Sequence, residues 1–305
     1  MSATLVHDRR DAIDSTAALL MLMLTFAWGF NGVAQKLSNV GFSPVFVTMM
    51  RSAIACGLVY FWCAYRRIPV FERDGTLWPG IIAGLLFGGE FALIFFGLDY
   101  TSVARAALMI NIMPFWVLIG AHLFLGERMM ARALVGLVLS FGGLVLVFSD
   151  KLSLPGPDAI WGDVLCLIAG ILWAATTIVI KGTRLVTARA EKILLYQLAV
   201  SALMVVPILP FVTPLVREVD ALAIGSVLFQ GIFIAAFTYL LWFWLMRRYP
   251  AGALTSFAFL TPAFGVLLGG LLLDEPLTAR ILLALGLIVI GLIVVNRPVR
   301  RPKVI

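Results

Sequence analysis

Long apolar blocks make up most of this chain, and short polar stretches separate them. About 20 mostly apolar residues are needed to cross a hydrocarbon core of roughly 30 Å. Ten blocks approach or exceed that length, at 15 to 36, 44 to 65, 77 to 98, 102 to 125, 130 to 148, 159 to 181, 191 to 212, 222 to 246, 251 to 273 and 278 to 296. In lipid such a run satisfies its backbone hydrogen bonds only as a helix. The pattern therefore predicts an all-α polytopic membrane protein with ten transmembrane helices.

The blocks repeat. Pro114, Glu127 and Arg132 recur as Pro262, Glu275 and Arg280, all at one offset of 148 positions. Trp28 and Lys36 recur as Trp173 and Lys181 at an offset of 145, and loop variation accounts for the difference. This divides the chain into a cytoplasmic tail (1–14), a first five-helix repeat (15–148), an external linker (149–158), a second five-helix repeat (159–296) and a basic cytoplasmic tail (297–305). Five is odd, so the second repeat enters the membrane from the opposite face and the repeats are inverted. Secondary transporters of this layout hold substrate near the midplane, between repeats, and expose it by rocking. The first block is read as a span and not as a cleaved signal, because its Trp28 to Lys36 spacing recurs inside the fold.

Composition narrows the class. The chain is 62% apolar and 13% charged, whereas an ordinary soluble domain is about 25% charged. The net charge of +7 comes from basic residues clustered between blocks, the placement that the positive-inside rule describes. With the N-terminus in the cytoplasm, most of the 23 Lys and Arg fall on the inner side and both termini are cytoplasmic. Nucleic acid is not an expected partner. Cys56, Cys63 and Cys166 all lie within blocks and read as small core residues. No G-x-x-x-x-G-K-[ST] loop and no space for a nucleotide-binding domain occur, so a gradient must drive any pumping. No metal or serine-hydrolase motif is present, and no cofactor is expected.

A few polar residues stand out inside the blocks. Glu90 lies near mid-depth of the third, where a charged side chain costs about 2.5–3.5 kcal/mol on insertion scales. It either meets a substrate amine or a proton, or makes a structural hydrogen bond to a neighbouring helix. The repeat pairs it with Tyr239 in the eighth block. Trp28, Asn31 and Gln35 in the first block correspond to Trp173, Thr176 and Thr177 in the sixth. Pro114 and Pro262 read as mid-helix kinks that free the carbonyls of Ile110 and Ala258, with Asn111 as the nearest polar neighbour of the first. Arg51, with Gln197 at the equivalent place in the seventh block, could snorkel outward, pair with an acid or attract an anionic group, and the first two are the readings favoured. Arg105 has Asp99 as its expected partner, and His122 reads as interfacial. Gly80, Gly84 and Gly88 form a ridge for close helix approach, as do Gly265 and Gly269.

On its five-block halves, its two prolines, the Tyr100-Thr101-Ser102 start and the Leu125-Gly126-Glu127 turn, the whole chain resembles the drug/metabolite transporter superfamily, in its EamA-like branch. Within that branch it is similar to bacterial YddG-type aromatic amino-acid exporters. The resemblance implies an inner-membrane exporter whose central cavity is lined by spans 1, 3, 4, 6, 8 and 9, with spans 5 and 10 peripheral. Carried onto this chain, it makes Trp28, Asn31, Glu90, Asn111, Trp173, Thr176, Tyr239 and Trp242 cavity-lining or substrate-binding candidates, bordered by kinks at Pro114 and Pro262. The expected function is export of amino acids, aromatic or otherwise apolar, across the bacterial inner membrane by alternating access. A small-molecule substrate and the lipid bilayer are the expected partners, and a monomer is compatible with the sequence. The alternatives are an exporter of lipophilic cations or drugs, with Glu90 as counter-ion, and an intramembrane enzyme. The latter calls for acids clustered at one membrane face, and here they are scattered.

Overall fold

The computed structural model describes residues 12–149, 156–272 and 279–297. The second charged turn, Leu273-Asp274-Glu275-Pro276, lies outside the described residues, as do most of the linker and of both tails. The helices are α1 (Ser15–Gly41), α2 (Pro44–Tyr65), α3 (Leu77–Tyr100), α4 (Val103–Ile110), α5 (Met113–Phe124), α6 (Ala131–Phe148), α7 (Ala159–Gly182), α8 (Ala190–Val205), α9 (Ala221–Phe229), α10 (Tyr239–Arg248), α11 (Ala251–Ser256), α12 (Leu260–Leu272) and α13 (Ala279–Asn296). A 3-10 segment, Val206–Phe211, extends α8, and a π-helix, Gln230–Thr238, joins α9 to α10 without a gap. Seven helical segments of the described residues are long and apolar enough to cross a membrane, and three shorter apolar helices accompany them. The described residues hold no β-strand, only an isolated bridge between Phe42 and Val216. The protein is an all-helical, multi-pass membrane protein.

Local chemistry sets the helix ends. Asp14 Oδ1 accepts from the Ala17 N–H at 2.8 Å to open α1, and Asp220 Oδ1 accepts from the Ala223 N–H at 2.7 Å to open α9. Ser43, followed by Pro44, caps α2, and Ser102 caps α4. At the end of α5, Gly126 takes φ 69° while the Glu127 N–H reaches back to the Ala121 carbonyl at 3.1 Å. That left-handed closure is where a side chain is disfavoured, and it accounts for the Leu-Gly-Glu turn.

The helices pack in closely matched pairs: α6 on α13, α3 on α7, α2 on α8 and α1 on α12. Gly80 and Gly84 of α3 face Tyr196 and Val200 of α8. The α6–α13 contact is tighter. A Cβ on Gly136 would lie 2.6 Å from the Gly291 carbonyl, and one on Gly291 would meet the Gly136 carbonyl and the Ser140 hydroxyl. Ser140 Oγ itself donates to the Ile288 carbonyl at 3.2 Å.

Two polar clusters tie down the ends of α7. Near its start, Arg105 of α4 grips Asp163 through Nε and Nη2, and the Thr101 hydroxyl donates to Asp163 Oδ1 at 2.7 Å. The sequence expectation paired Arg105 with Asp99, whose side chain is not among those described. Asp163 takes the role because α4 packs directly on α7. At the far end, Lys181 Nζ donates to the Tyr249 carbonyl and lies 3.8 Å from Glu127 Oε1, while the Tyr249 hydroxyl donates to Asp14 Oδ2 at 2.9 Å. The two clusters are separated by 18 residues of helix, on the order of 27 Å at 1.5 Å per residue.

Overpacking a tight helix contact costs about 1–3 kcal/mol. Gly291→Ala is therefore expected to lower the thermal unfolding midpoint in detergent. Gly142→Ala on α6, where nothing lies within 4 Å, should leave it unchanged or raise it. Equal midpoints for the two variants would refute the packing account. Removing one partner of a buried ion pair costs about 3–5 kcal/mol, and the 17% and 12% side-chain exposures of Arg105 and Asp163 place each single alanine variant at the low end of that range. The double variant should lose clearly less than the two singles together, and strict additivity in denaturant unfolding would mean that the pair contributes no coupling.

Candidate functional site

The centre of the helix bundle is built on an aromatic box. Trp28 of α1 donates its indole N–H to the Thr238 hydroxyl at 2.9 Å. The Thr238 hydroxyl in turn donates to the Ile234 carbonyl inside the π-helix. A π-helix turns more widely than an α-helix and often marks a functional segment. Here it ends immediately before Tyr239 and Trp242, whose rings meet Trp28 edge-on at centroid distances of 6.1 and 5.6 Å. Phe87 of α3 closes a further side, 6.0 Å from Tyr239 and 5.0 Å from Phe91. Gln230, at the start of the π-helix, is fully buried and ties it to α1 by donating to Ser38 Oγ at 3.0 Å.

Charge enters this apolar box from two helices. Glu90 of α3 is 5% exposed, and its Oε2 has no hydrogen-bond partner among the described residues. Arg51 of α2 is 3% exposed, and its guanidinium carbon lies 4.4 Å over the Phe91 ring. It interacts electrostatically with both Glu90 and the Tyr239 hydroxyl. Its Nε and Nη2 are buried without a hydrogen-bond partner among the described residues. A cation over an aromatic face gains some attraction from the ring, but an ion out of water normally requires a matched partner as well. Asn31 of α1, one turn beyond Trp28, likewise buries an unpartnered Oδ1. Gln197 of α8, the counterpart of Arg51 in the repeat, buries an unpartnered Oε1.

The remaining expected site residues sit apart from this cluster or are already engaged. Asn111 is buried and donates from Nδ2 to the Ala107 carbonyl at 2.8 Å. The Thr176 hydroxyl donates to the Leu172 carbonyl at 2.9 Å. Trp173 packs on a second apolar cluster formed by Met113, Val117, Ala174, Ala251 and Ala258. The helix is irregular at both Pro114 and Pro262, within the apolar stretches Ala104–Phe124 and Ala251–Gly265 that each run on as one helix. The first stands in the opening turn of α5, after a break at Asn111 and Ile112. The second follows a 3-10 turn, Phe257–Phe259, that separates α11 from α12. Proline suits the first turn of a helix, where its missing N–H would have had no partner. The Ile110 carbonyl freed by the first break lies against Gly170 of α7, at 2.9 Å from where a Cβ would stand. His122 is exposed, with Nδ1 3.2 Å from the Glu127 carbonyl.

Arg51 is the functional candidate whose place the sequence concealed. Its position seven residues into an apolar block left open a side chain that snorkels outward, pairs with an acid or attracts an anionic group, and its neighbours come from α3 and α10. The repeat offered one signal, since it set Arg51 opposite Gln197, a second polar residue deep in an apolar helix.

Comparison with known proteins gives a consistent family. The model of the EamA-like transporter family matches twice, over residues 15–149 and 160–297. An uncharacterized transporter of Archaeoglobus fulgidus is 30% identical over 275 residues, covering 88% of this chain and 94% of its own. The uncharacterized transporter YoaV of Bacillus subtilis is 24% identical over 86% of this chain and 90% of its own. A protein of Escherichia coli named a probable amino-acid metabolite efflux pump is 26% identical, over 85% of this chain and 88% of its own. One crystal structure superposes with a TM-score of 0.80 at 18% identity, covering 92% of this chain and 98% of that one, and so shares the fold. The aromatic box with its buried charges thus sits within a membrane transporter, not an enzyme, and the chain belongs to the EamA-like transporter family.

Proposed function

We propose that this protein is a secondary exporter of amino acids, aromatic or otherwise apolar, working in a bacterial inner membrane with both termini in the cytoplasm. Ten spans form two inverted five-helix repeats, 15–148 and 159–296, that rock about a central site. The packing supports this reading. Exchanging the first five spans for the last five carries α3 on α7 into the π-helix segment on α1, and α4 and α5 on α7 into α12 on α1. It also carries α3 on α8 into the π-helix segment on α2, and leaves α6 on α13 unchanged.

The observation that carries the function is Glu90, buried with an unpartnered oxygen and within electrostatic reach of Tyr239, whose ring meets Trp28 and Phe87. An ammonium group meets the carboxylate while an apolar side chain lies among the rings. Asn31 adds a polar contact, and Trp173, Asn111 and Thr176 line the approach beside the helix break at α4 and α5. The Escherichia coli relative named as an amino-acid metabolite efflux pump points to the same substrate class. A second reading, export of lipophilic cations, draws on the same carboxylate in its aromatic surroundings.

Counterflow in proteoliposomes separates the two. Labelled aromatic and apolar amino acids are expected to exchange across vesicles holding purified protein, and cationic dyes are not. Movement of dyes without any amino acid would favour the second reading, and movement of neither would end both. Glu90→Gln is expected to lower amino-acid counterflow at least about tenfold, equivalent to about 1.4 kcal/mol. Unchanged counterflow would remove Glu90 from the site.

A further inference from the structure

Arg105 and Arg51 are both largely buried arginines, and they differ in one respect. Arg105 uses the edge formed by Nε and Nη2 to hold the Asp163 carboxylate with two hydrogen bonds. Arg51 presents the same edge, Nε and Nη2, buried and without a hydrogen-bond partner among the described residues. That edge offers two parallel N–H groups whose spacing matches the two oxygens of a carboxylate. Glu90 is near enough to interact with Arg51 electrostatically but does not occupy the edge, and its own Oε2 is also unpartnered. Phe91 covers the guanidinium at 4.4 Å, and Tyr239 lies within its electrostatic reach. The geometry holds a cation and an anion side by side in an aromatic box, each with polar atoms left over.

We infer that Arg51 binds the carboxylate of the transported molecule while Glu90 binds its ammonium group, so the site selects α-amino carboxylates over the corresponding amines. This rests on the reading of the box as the substrate site and names what that site distinguishes. The complementarity supports it. A zwitterion brings a carboxylate for the Arg51 edge and an ammonium group for the Glu90 oxygen, the two sets of buried polar atoms left without partners among the described residues. A lipophilic cation would leave the Arg51 edge unused, and a free carboxylic acid would leave the Glu90 oxygen unused.

The test uses the full-length protein in liposomes and whichever of phenylalanine, tryptophan, leucine or methionine the wild type exchanges fastest. Competitors are the decarboxylated amine of that amino acid and the matching acid without its amine. The wild type is expected to be inhibited by the amino acid at least tenfold more effectively than by either competitor. Arg51→Gln should reduce counterflow at least tenfold and lose the preference for amino acid over amine. Arg51→Lys, which keeps the charge but not the two-pronged edge, should recover part of both. Thermal unfolding of each variant shows whether it folds, and if none does, the wild-type competition decides alone. Equal inhibition of the wild type by amine and amino acid would overturn the inference, as would an Arg51→Gln protein that keeps the preference. Both results leave amino-acid transport standing, whereas a wild type that moves no amino acid fails at the level of the proposed function.

Discussion

A helix that stops inside a bilayer leaves N–H and carbonyl groups that only protein can satisfy, and the centre of this structure depends on how that constraint is met. Among the described residues, regular α-helix gives way at three places near the core: the break at Asn111 and Ile112, the 3-10 turn Phe257–Phe259 and the π-helix Gln230–Thr238. Close packing protects two of these regions. Gly170 of α7 lies against the Ile110 carbonyl, and Gly29 of α1 lies against the Thr261 carbonyl, at 2.9 and 2.8 Å from where a Cβ would stand. The π-helix is held differently, by Gln230 on Ser38 and by Trp28 on Thr238. Helices α1 and α7 therefore serve as covers for irregular backbone as well as packing elements.

Polar side chains divide along the same lines. At the ends of α7 they are engaged with one another: Arg105 with Asp163 and Thr101, and Lys181 with Tyr249 and Glu127. In the box, Arg51, Glu90 and Asn31 retain buried atoms without partners. Water in a membrane interior is scarce, so an unpartnered polar atom there is costly compared with one at the surface. Single unpartnered atoms also occur elsewhere, at Asn39, Arg247 and Asn296 among others, but the box is where an acid and an arginine carry them together.

The outline of the fold was legible because length and polarity decide it. The block 44 to 65 is α2, and the blocks 130 to 148 and 251 to 273 end within a residue of α6 and of α11 with α12. Capping residues sharpen those ends, since Ser43-Pro44 and Gly126 carry local signals. Pairings across the bundle were not legible. Asp163 reaches Arg105 across 58 positions, and nothing at Arg105 itself announces that partner. Asn111 and Thr176 stood out as cavity-lining candidates, and each donates to the carbonyl four residues earlier, an option open to any short polar side chain in a helix that the sequence does not distinguish from a contact across the bundle. The prolines signalled irregular backbone correctly in place, but a proline alone does not say whether a helix bends or stops.

Sequences that break local rules usually do so where function requires it or where packing absorbs the break. Both kinds occur here and can be told apart. Pro114 and Pro262 each follow a short irregular turn and stand at the opening of the next regular stretch, where a missing N–H costs little. The acid at Glu90, the base at Arg51 and the π-helix before Tyr239 remain violations after folding. Each alone has a bland explanation: a buried acid near an arginine, a cation over Phe91, a local bulge. They come from three different helices, however, and converge on Tyr239, whose ring meets Trp28 and Phe87, with Arg51 over the neighbouring Phe91. Stability alone is better served by apolar side chains than by buried polar atoms without partners. The convergence of the three departures is thus the physical ground on which the proposed site rests here and not at the better-satisfied clusters that hold the ends of α7.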